Sequence, residues 1–249
     1  MASPSHNPVL ARAGFDSRVQ ADVGAPTMTF AGTMAKTFML LGIVAAGMVY
    51  AWVGLPPLGL SSSVVYPLLT GSFVVGVILL IATSFRPEYA AITGPVYAAM
   101  QGVVLGLVTL ILNARFPGLP YQAALLTVAT LGVMLVAYRA GLIRATERFR
   151  TIVVSCTAAI FVFYVIAFGM SLFGLYIPFL HEGGVIGIGF SLFVIVVAAL
   201  NLVLDFDFIE TGVEQGAPKY AEWYGAFGLM VTLVWLYLEF LRLLAKLRD

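Results

Sequence analysis

Two acidic residues stand inside apolar stretches near the C-terminal end of the chain. Asp205 lies near the end of one stretch and, at helical spacing, shares a face with Asn201 one turn earlier; Glu239 lies well inside the next stretch. Ionisable groups in such surroundings are costly and mark functional sites. We expect the two carboxylates to meet between neighbouring helices, where both cannot ionise cheaply, so that they share a proton and form a gating pair. In the alternative, Glu239 makes only a local ion pair with Arg242 at i+3.

The same carboxylates predict a preference for calcium. Carboxylate oxygens are hard ligands, so we expect Asp205 and Glu239 to bind calcium transiently. Asp207 points away from Asp205 and stacks with Glu210 and Glu214 on a solvated edge, an acidic rim that would attract cations to the entrance. Because the sequence has no EF-hand loop, a permeation or sensing site is expected rather than a storage site. No resident cofactor is predicted; calcium is the permeant ion, and protons are the regulator.

Arg86 closes the second apolar stretch of the chain. The charge distribution described below places it on the same side of the membrane as Asp205, where a guanidinium would favour the charged form of the acidic pair. Arg86 is therefore predicted to modulate that pair. The alternative is an interfacial anchor whose side chain reaches lipid headgroups.

The elements that position these groups must be membrane-spanning helices. The chain has 249 residues, of which 61% are hydrophobic and 10% charged, against about 25% charged in an average soluble domain. Spanning helices can bury such a composition in lipid while satisfying their own backbone hydrogen bonds. The net charge of +1, without a long basic stripe, argues against a nucleic-acid partner. The single Cys156 cannot form an internal disulfide or a thiolate metal cluster.

Seven apolar stretches are each long enough to cross the hydrocarbon of a bilayer. We therefore predict an all-α, polytopic membrane protein with seven transmembrane helices. The stretches run from about Phe38 to Leu55, Val64 to Phe85, Tyr89 to Leu112, Tyr121 to Tyr138, Ile152 to Tyr176, Gly184 to Phe208 and Trp223 to Leu244.

The distribution of basic residues predicts the orientation. Nine Lys and Arg residues fall in the N-terminal tail and the loops on its side of the membrane, and four fall on the other side. Positively charged loops stay in the cytoplasm, so a cytoplasmic N-terminus and an outward C-terminus are expected. The basic C-terminal end favours the alternative of six spans, one re-entrant segment and an inward C-terminus.

Residues 1–36 are polar and contain several prolines and glycines, so they are expected to form a flexible cytoplasmic tail before a seven-helix domain at 37–249. Two GxxxG spacings, Gly102 with Gly106 and Gly183 with Gly187, predict close helix packing; a gating hinge is the less favoured interpretation.

The C-terminal quarter of the chain resembles a known family. The strings LDFDFIETG at Leu204–Gly212 and LYLEFLRLL at Leu236–Leu244 are similar to the Bax inhibitor-1, or transmembrane Bax inhibitor motif, family, in particular its bacterial YccA-like branch. The string RPEYAAITGPVY at Arg86–Tyr97 resembles the family's junction between its second and third helices.

The resemblance implies a fold and a function. It implies six helices around a central seventh and a pH-sensitive calcium leak in the inner, or plasma, membrane. It places Asp205 and Glu239 on the family's proton-sharing acidic positions and gives Arg86 the role of the engaging arginine. The chain departs from the family pattern in having Glu239 where Asp is usual and Arg242 where Asn is frequent.

The sequence bears on two other functional classes. A non-transporting membrane regulator would bind and modulate protein partners such as membrane quality-control proteases, an interpretation that rests on the tail and on the YccA-like resemblance. An enzyme is not expected, because the sequence has no HExxH, GxSxG or paired aspartyl protease motif.

Overall fold

The chain folds into long α-helices. The computed structural model describes residues 26–54, 62–175 and 184–248. Within these residues seven long helices follow one another, with a short 3₁₀ turn at Pro87–Tyr89 between the second and the third. They are α1 (Phe30–Gly54), α2 (Ser62–Phe85), α3 (Ala90–Arg115), α4 (Leu119–Arg139), α5 (Glu147–Leu172), α6 (Val185–Glu214) and α7 (Ala221–Lys246).

Six of these helices are long and apolar enough to cross a membrane. They are all but α2, of which the stretch Leu69–Phe85 is an apolar helix. A helix that is apolar over most of its surface is stable in lipid because every backbone hydrogen bond closes within it. The chain is therefore an all-helical, multi-pass membrane protein. Among the residues that the structure describes, length and composition support six of the seven predicted spans, and the count of seven stays a prediction.

The first helix begins earlier than expected. α1 starts at Phe30, inside the segment predicted to be a flexible tail up to residue 36. The polar residues that hid the start are satisfied within the helix, because the hydroxyls of Thr33 and Thr37 donate hydrogen bonds to the carbonyl oxygens of Thr29 and Thr33, each at 3.0 Å. The helical domain therefore includes residues that their polarity assigned to the tail.

The sixth helix continues beyond its expected end at Phe208. α6 runs to Glu214, so the acidic residues predicted to form a rim lie on its last turns. Gly216, in the left-handed region at φ 65°, follows the helix and turns the chain toward α7. The acidic end of α6 is thus helical, with its side chains at fixed helical spacing.

The helices divide into two compact units. The first consists of Met1–Leu110 and Phe208–Met230, and the second of Ile111–Asp207 and Val231–Asp249. In the first unit, α1 and α3 pack closely, with Gly102 against Val44 and Gly47, and Gly106 against Met48 and Ala51. This is the helix packing predicted from the Gly102 and Gly106 spacing; Gly183 of the other spacing lies outside the described residues.

In the second unit, α5, α6 and α7 share an apolar core. Ile160 of α5 packs with Val194 and Val197 of α6, all buried. Around them lie partly buried side chains that include Tyr164 of α5 and Trp235 of α7. α7 is the most buried of the candidate spans, with 67% of its most apolar window buried, against 44% for α6. Most of α7 therefore packs against protein rather than lipid.

Candidate functional site

Asp205 of α6 carries a buried oxygen without a partner. The hydroxyl of Thr232 in α7 donates a hydrogen bond to the Asp205 carboxylate. The Oδ2 atom is buried and, among the residues that the structure describes, accepts no hydrogen bond. Leaving such an atom unpaired costs about 1–3 kcal/mol, so it calls for an explanation such as a bound water molecule, an ion or a proton. Asp205 is therefore available to take up a proton, a water molecule or a cation.

Asn201, one turn before Asp205, faces a different helix. Its side-chain amide donates hydrogen bonds to Thr157 Oγ1 of α5 at 2.7 Å and to the carbonyl oxygen of Val197 at 2.8 Å. The expected shared face thus divides between two neighbours, with Asn201 directed to α5 and Asp205 to α7. The two polar groups link α6 to both adjacent helices of the second unit.

Glu239 of α7 is buried and fully paired. The hydroxyl of Tyr164 in α5 donates a hydrogen bond to Glu239 Oε1 at 2.9 Å, and Arg242 Nη1 donates to both carboxylate oxygens at 2.8 and 2.9 Å. The guanidinium also donates a hydrogen bond to Tyr164 Oη and lies over the tyrosine ring, 4.8 Å from its centre. The local ion pair with Arg242, considered as the alternative from the sequence, is the arrangement in this structure.

The hydrogen bonds set the register between α6 and α7. Asp205 meets Thr232, and Ser191, fourteen residues earlier in α6, accepts a hydrogen bond at 3.0 Å from Lys246, fourteen residues later in α7. The two helices are therefore antiparallel, and Ala198, which is fully buried, lies at the level of Glu239. We call Asp205, Thr232, Glu239, Ser191 and Lys246 the polar seam.

The register separates the two acidic groups. Glu239 is seven residues, or about 10 Å of helix, beyond Thr232, the residue that Asp205 contacts. In the described hydrogen bonds Asp205 and Glu239 have different partners, and none joins one carboxylate to the other. In this conformation the structure does not bring the predicted pair together.

The predicted acidic rim carries mixed charge. Asp207 Oδ2 accepts a hydrogen bond from Arg150 Nη2 at 2.7 Å, and Arg150 also lies 3.7 Å from Glu147. Glu210 and Glu214 are exposed on the last turns of α6. The positive charge of Arg150 offsets the negative charge of Asp207. Asp207 therefore attracts cations less than the sequence indicated.

Arg86 lies in the first unit, whereas Asp205 and Glu239 lie in the second. It is exposed and caps the short turn between α2 and α3, where its carbonyl oxygen accepts a hydrogen bond from the amide of Tyr89 at 3.0 Å. Its predicted action on the acidic pair stays a prediction.

A buried acid in the first unit was missed. Glu222, which lies just before the seventh predicted stretch, is fully buried at the start of α7. Its carboxylate accepts hydrogen bonds from the amide and hydroxyl of Thr29 at 2.9 and 2.7 Å and from Lys219 at 2.7 Å, and it also pairs with Lys36. It thereby ties the segment before α1 to the turn before α7. Lys219 at i−3 was the only local signal, because Thr29 and Lys36 are far away in sequence.

Lys246 and Tyr164 were also missed. Lys246 is 3% exposed, and its ammonium donates hydrogen bonds to Ser191 Oγ and, at 2.9 Å, to the carbonyl oxygen of Gly187. The spacing of seven residues from Glu239 puts both on one face of α7 and could have revealed it. No sequence signal distinguished Tyr164 from the many other aromatic residues. Within the described residues, no three His, Cys, Asp or Glu side chains gather as a metal site.

Comparison with known proteins gives one match. A family model described as Bax inhibitor 1 like matches residues 7–249, almost the whole chain. No curated protein matches, and no solved structure matches.

Proposed function

This chain belongs to the Bax inhibitor 1 like family, and from that membership we propose that it is a pH-sensitive calcium-leak protein whose leak is controlled by Asp205 and Glu239. The family resemblance from the sequence supplies the activity. The buried acids supply the means, because a carboxylate shielded from water changes its interactions strongly when it gains or loses a proton.

The buried, unpaired Oδ2 of Asp205 is the observation that carries the proposal. A protonated Asp205 can donate a hydrogen bond, which a charged Asp205 cannot. A charged Asp205 instead offers an oxygen ligand to calcium. Glu239 takes part in a second conformation. There the Arg242 contact opens, α7 shifts against α6 and the two carboxylates approach each other closely enough to share a proton. The conformation described above, with Glu239 paired, is the closed one.

The rest of the arrangement is also proposed. α2 serves as a seventh span, and α7 is the central helix, which its high burial supports. The chain lies in the inner membrane with its N-terminus in the cytoplasm, as the distribution of basic residues favours, and Arg86 and the rim residues Asp207, Glu210 and Glu214 modulate the entry of cations.

Purified protein in liposomes tests the proposal. Calcium flux is measured at acidic and alkaline pH for the wild type, Asp205→Asn and Glu239→Gln. We expect the wild-type flux to depend on pH and each variant to change it several-fold and flatten its pH dependence. Glu147→Gln is the control, because it removes a negative charge from an exposed side chain that has no part in the proposed leak. Wild-type flux and pH dependence in both variants would show that these acids do not control the leak.

A deletion distinguishes the membrane-regulator alternative from the proposed calcium leak. Residues 2–25 are removed, which leaves Thr29 and Lys36 in place to bind Glu222. A leak protein keeps its calcium flux after this deletion. A regulator that works through its N-terminal segment loses its effect on partner proteins after the deletion. In that case the wild type shows no calcium flux either.

A further inference from the structure

Tyr164 of α5 contacts both members of the ion pair on α7. Its hydroxyl donates a hydrogen bond to Glu239 Oε1 at 2.9 Å and accepts one from the Arg242 guanidinium. The guanidinium carbon lies 4.8 Å from the centre of the tyrosine ring, whose negative face attracts a cation. Hydrogen bonds to charged groups are stronger than those between neutral groups. One tyrosine side chain therefore holds the acid and the base together.

Packing against α6 fixes the Tyr164 ring. The ring meets that of Phe190 edge to face, with the two ring centres 6.3 Å apart and the ring planes at 86°, which is a preferred arrangement of aromatic rings. It also packs on the buried core of Ile160, Val194 and Val197, which belongs to α5 and α6. The hydroxyl is thus placed by α5 and α6, and not by the helix that it contacts.

The ion pair itself cannot hold α7 against its neighbours. Glu239 and Arg242 are three residues apart in one helix, so the pair travels with α7 whenever that helix moves. A contact resists such a movement only when it joins α7 to another helix. Among the described hydrogen bonds of Glu239 and Arg242, those that do so both end on the Tyr164 hydroxyl. Loss of this hydroxyl would therefore free the pair from α5.

We infer that Tyr164 is the positioning residue that holds Glu239 in the closed conformation, because its hydroxyl ties the Glu239–Arg242 pair to α5. This inference rests on the proposed calcium leak and deepens it. For Glu239 to leave Arg242 and approach Asp205, the hydrogen bonds of this hydroxyl have to break. Tyr164 thereby sets how often the leak opens.

Calcium flux in liposomes is the first test. Tyr164→Phe removes the hydroxyl and keeps the ring, so the packing on Phe190 and the contact with the guanidinium remain. We expect the flux to rise several-fold, because the closed conformation loses two hydrogen bonds. Tyr237→Phe is the matched control and should leave the flux at the wild-type level. Tyr237 is also buried and lies two residues from Glu239, but its hydroxyl makes no hydrogen bond in the part of the chain that the structure describes.

A background without the ion pair shows whether Tyr164 acts through that pair. Glu239→Leu with Arg242→Met removes both hydrogen-bond partners of the hydroxyl. In this background Tyr164→Phe should change the flux much less than it does in the wild type, since residues that act through one contact give non-additive effects. A general loss of packing would raise the flux by the same factor in both backgrounds. That equality would overturn the inference.

Carboxyl labelling is the second test and does not depend on flux. Dicyclohexylcarbodiimide is apolar and adds to protonated carboxyl groups, and mass spectrometry of the peptide that contains Glu239 measures the rate. Glu239 is 1% exposed and paired in the closed conformation, so the wild type should react slowly. We expect Tyr164→Phe to accelerate the labelling of Glu239 several-fold and Tyr237→Phe to leave it unchanged.

The two tests separate this inference from the proposed function. If the wild type leaks calcium and Tyr164→Phe leaks at the same rate, Tyr164 does not hold the closed conformation. If neither the wild type nor any variant leaks calcium, the proposed function fails, and labelling alone decides the role of Tyr164. An unchanged rate of Glu239 labelling then overturns that role, and an accelerated rate supports it.

Discussion

Glu239 and Arg242, one turn apart on α7, form a buried ion pair in which one guanidinium nitrogen contacts both carboxylate oxygens at 2.8 and 2.9 Å. Glu239 is 1% exposed, whereas the Arg242 side chain is 34% exposed. The buried Glu239 carboxylate thus has its charge balanced by the guanidinium of a partly exposed arginine.

Removing Arg242 should therefore destabilise the protein, because the buried Glu239 carboxylate loses its charged partner. Arg242→Met leaves a buried carboxylate with only Tyr164 as a partner, and we expect the free energy of unfolding in detergent to fall by about 1–3 kcal/mol. Adding Glu239→Leu should recover much of the loss, because two apolar side chains leave no charge unpaired. Arg248→Gln, at an exposed arginine, is the control and should change little. Equal stability of Arg242→Met and the wild type would contradict the prediction.

Gly32 should tolerate no side chain. A Cβ at this position would overlap the Glu222 carboxylate, which is itself held by four hydrogen bonds or ion pairs. Gly32→Ala should lower the thermal unfolding midpoint, by an amount equivalent to about 1–3 kcal/mol. The matched control is Gly42→Ala in the same helix, where a Cβ meets nothing within 4 Å. That change should be neutral or stabilising, since alanine favours helix over glycine by up to about 1 kcal/mol.

The contact between α1 and α3 predicts a loss of stability when either of two glycines gains a side chain. A Cβ on Gly102 would meet the backbone of Val44, and one on Gly106 would meet the side chain of Ala51. Because neither backbone atoms nor the Cβ of Ala51 can rotate away, Gly102→Ala and Gly106→Ala should both be destabilising. Thermal unfolding in detergent measures both, with Gly132→Ala in α4, where a Cβ meets nothing within 4 Å, as the reference. Three equal midpoints would mean that α1 and α3 do not pack as described.

Glu222 should hold the segment before α1 in place. Thr27 and Pro218 face each other in an antiparallel bridge, at a spacing of about 4.5–5.5 Å between Cα atoms, which suits a disulfide. In a Cys156→Ser background, Thr27→Cys with Pro218→Cys should therefore cross-link under mild oxidation.

Glu222→Gln should slow this cross-linking several-fold, because it removes the charge that attracts Lys36 and Lys219. Glu214→Gln makes the same chemical change at an exposed position and should leave the rate unchanged. If Glu222→Gln cross-links as fast as the double-cysteine protein that retains Glu222, then Glu222 does not hold the segment.

The sequence predicted the helices well because length and apolarity decide them. Six predicted spans correspond to candidate spans of the structure, and their ends differ by several residues where polar side chains are satisfied inside a helix, as at Thr33 and Thr37. Residue composition alone does not tell whether a threonine hydroxyl is bonded within a helix or to water.

The site was predicted only where the contact is local. The Glu239–Arg242 pair follows from helical spacing and could be foreseen. The separation of Asp205 from Glu239 depends on the register of α6 against α7, which the sequence does not determine. The burial of Glu222 depends on Thr29, 193 residues away. Pairings between distant helices form in the folded protein and leave no periodicity to detect.

Trp235 gives the second unit an intrinsic optical probe. Its indole packs on the core of Ile160, Val194 and Val197, against which Tyr164, the hydrogen-bond donor to Glu239, also packs. The chain's other tryptophans lie in the first unit, Trp52 bonded to Thr109 and Trp223 beneath the Lys36 ammonium. With those two changed to phenylalanine, the emission spectrum of one native ring follows rearrangements among α5, α6 and α7 in real time, without any attached dye.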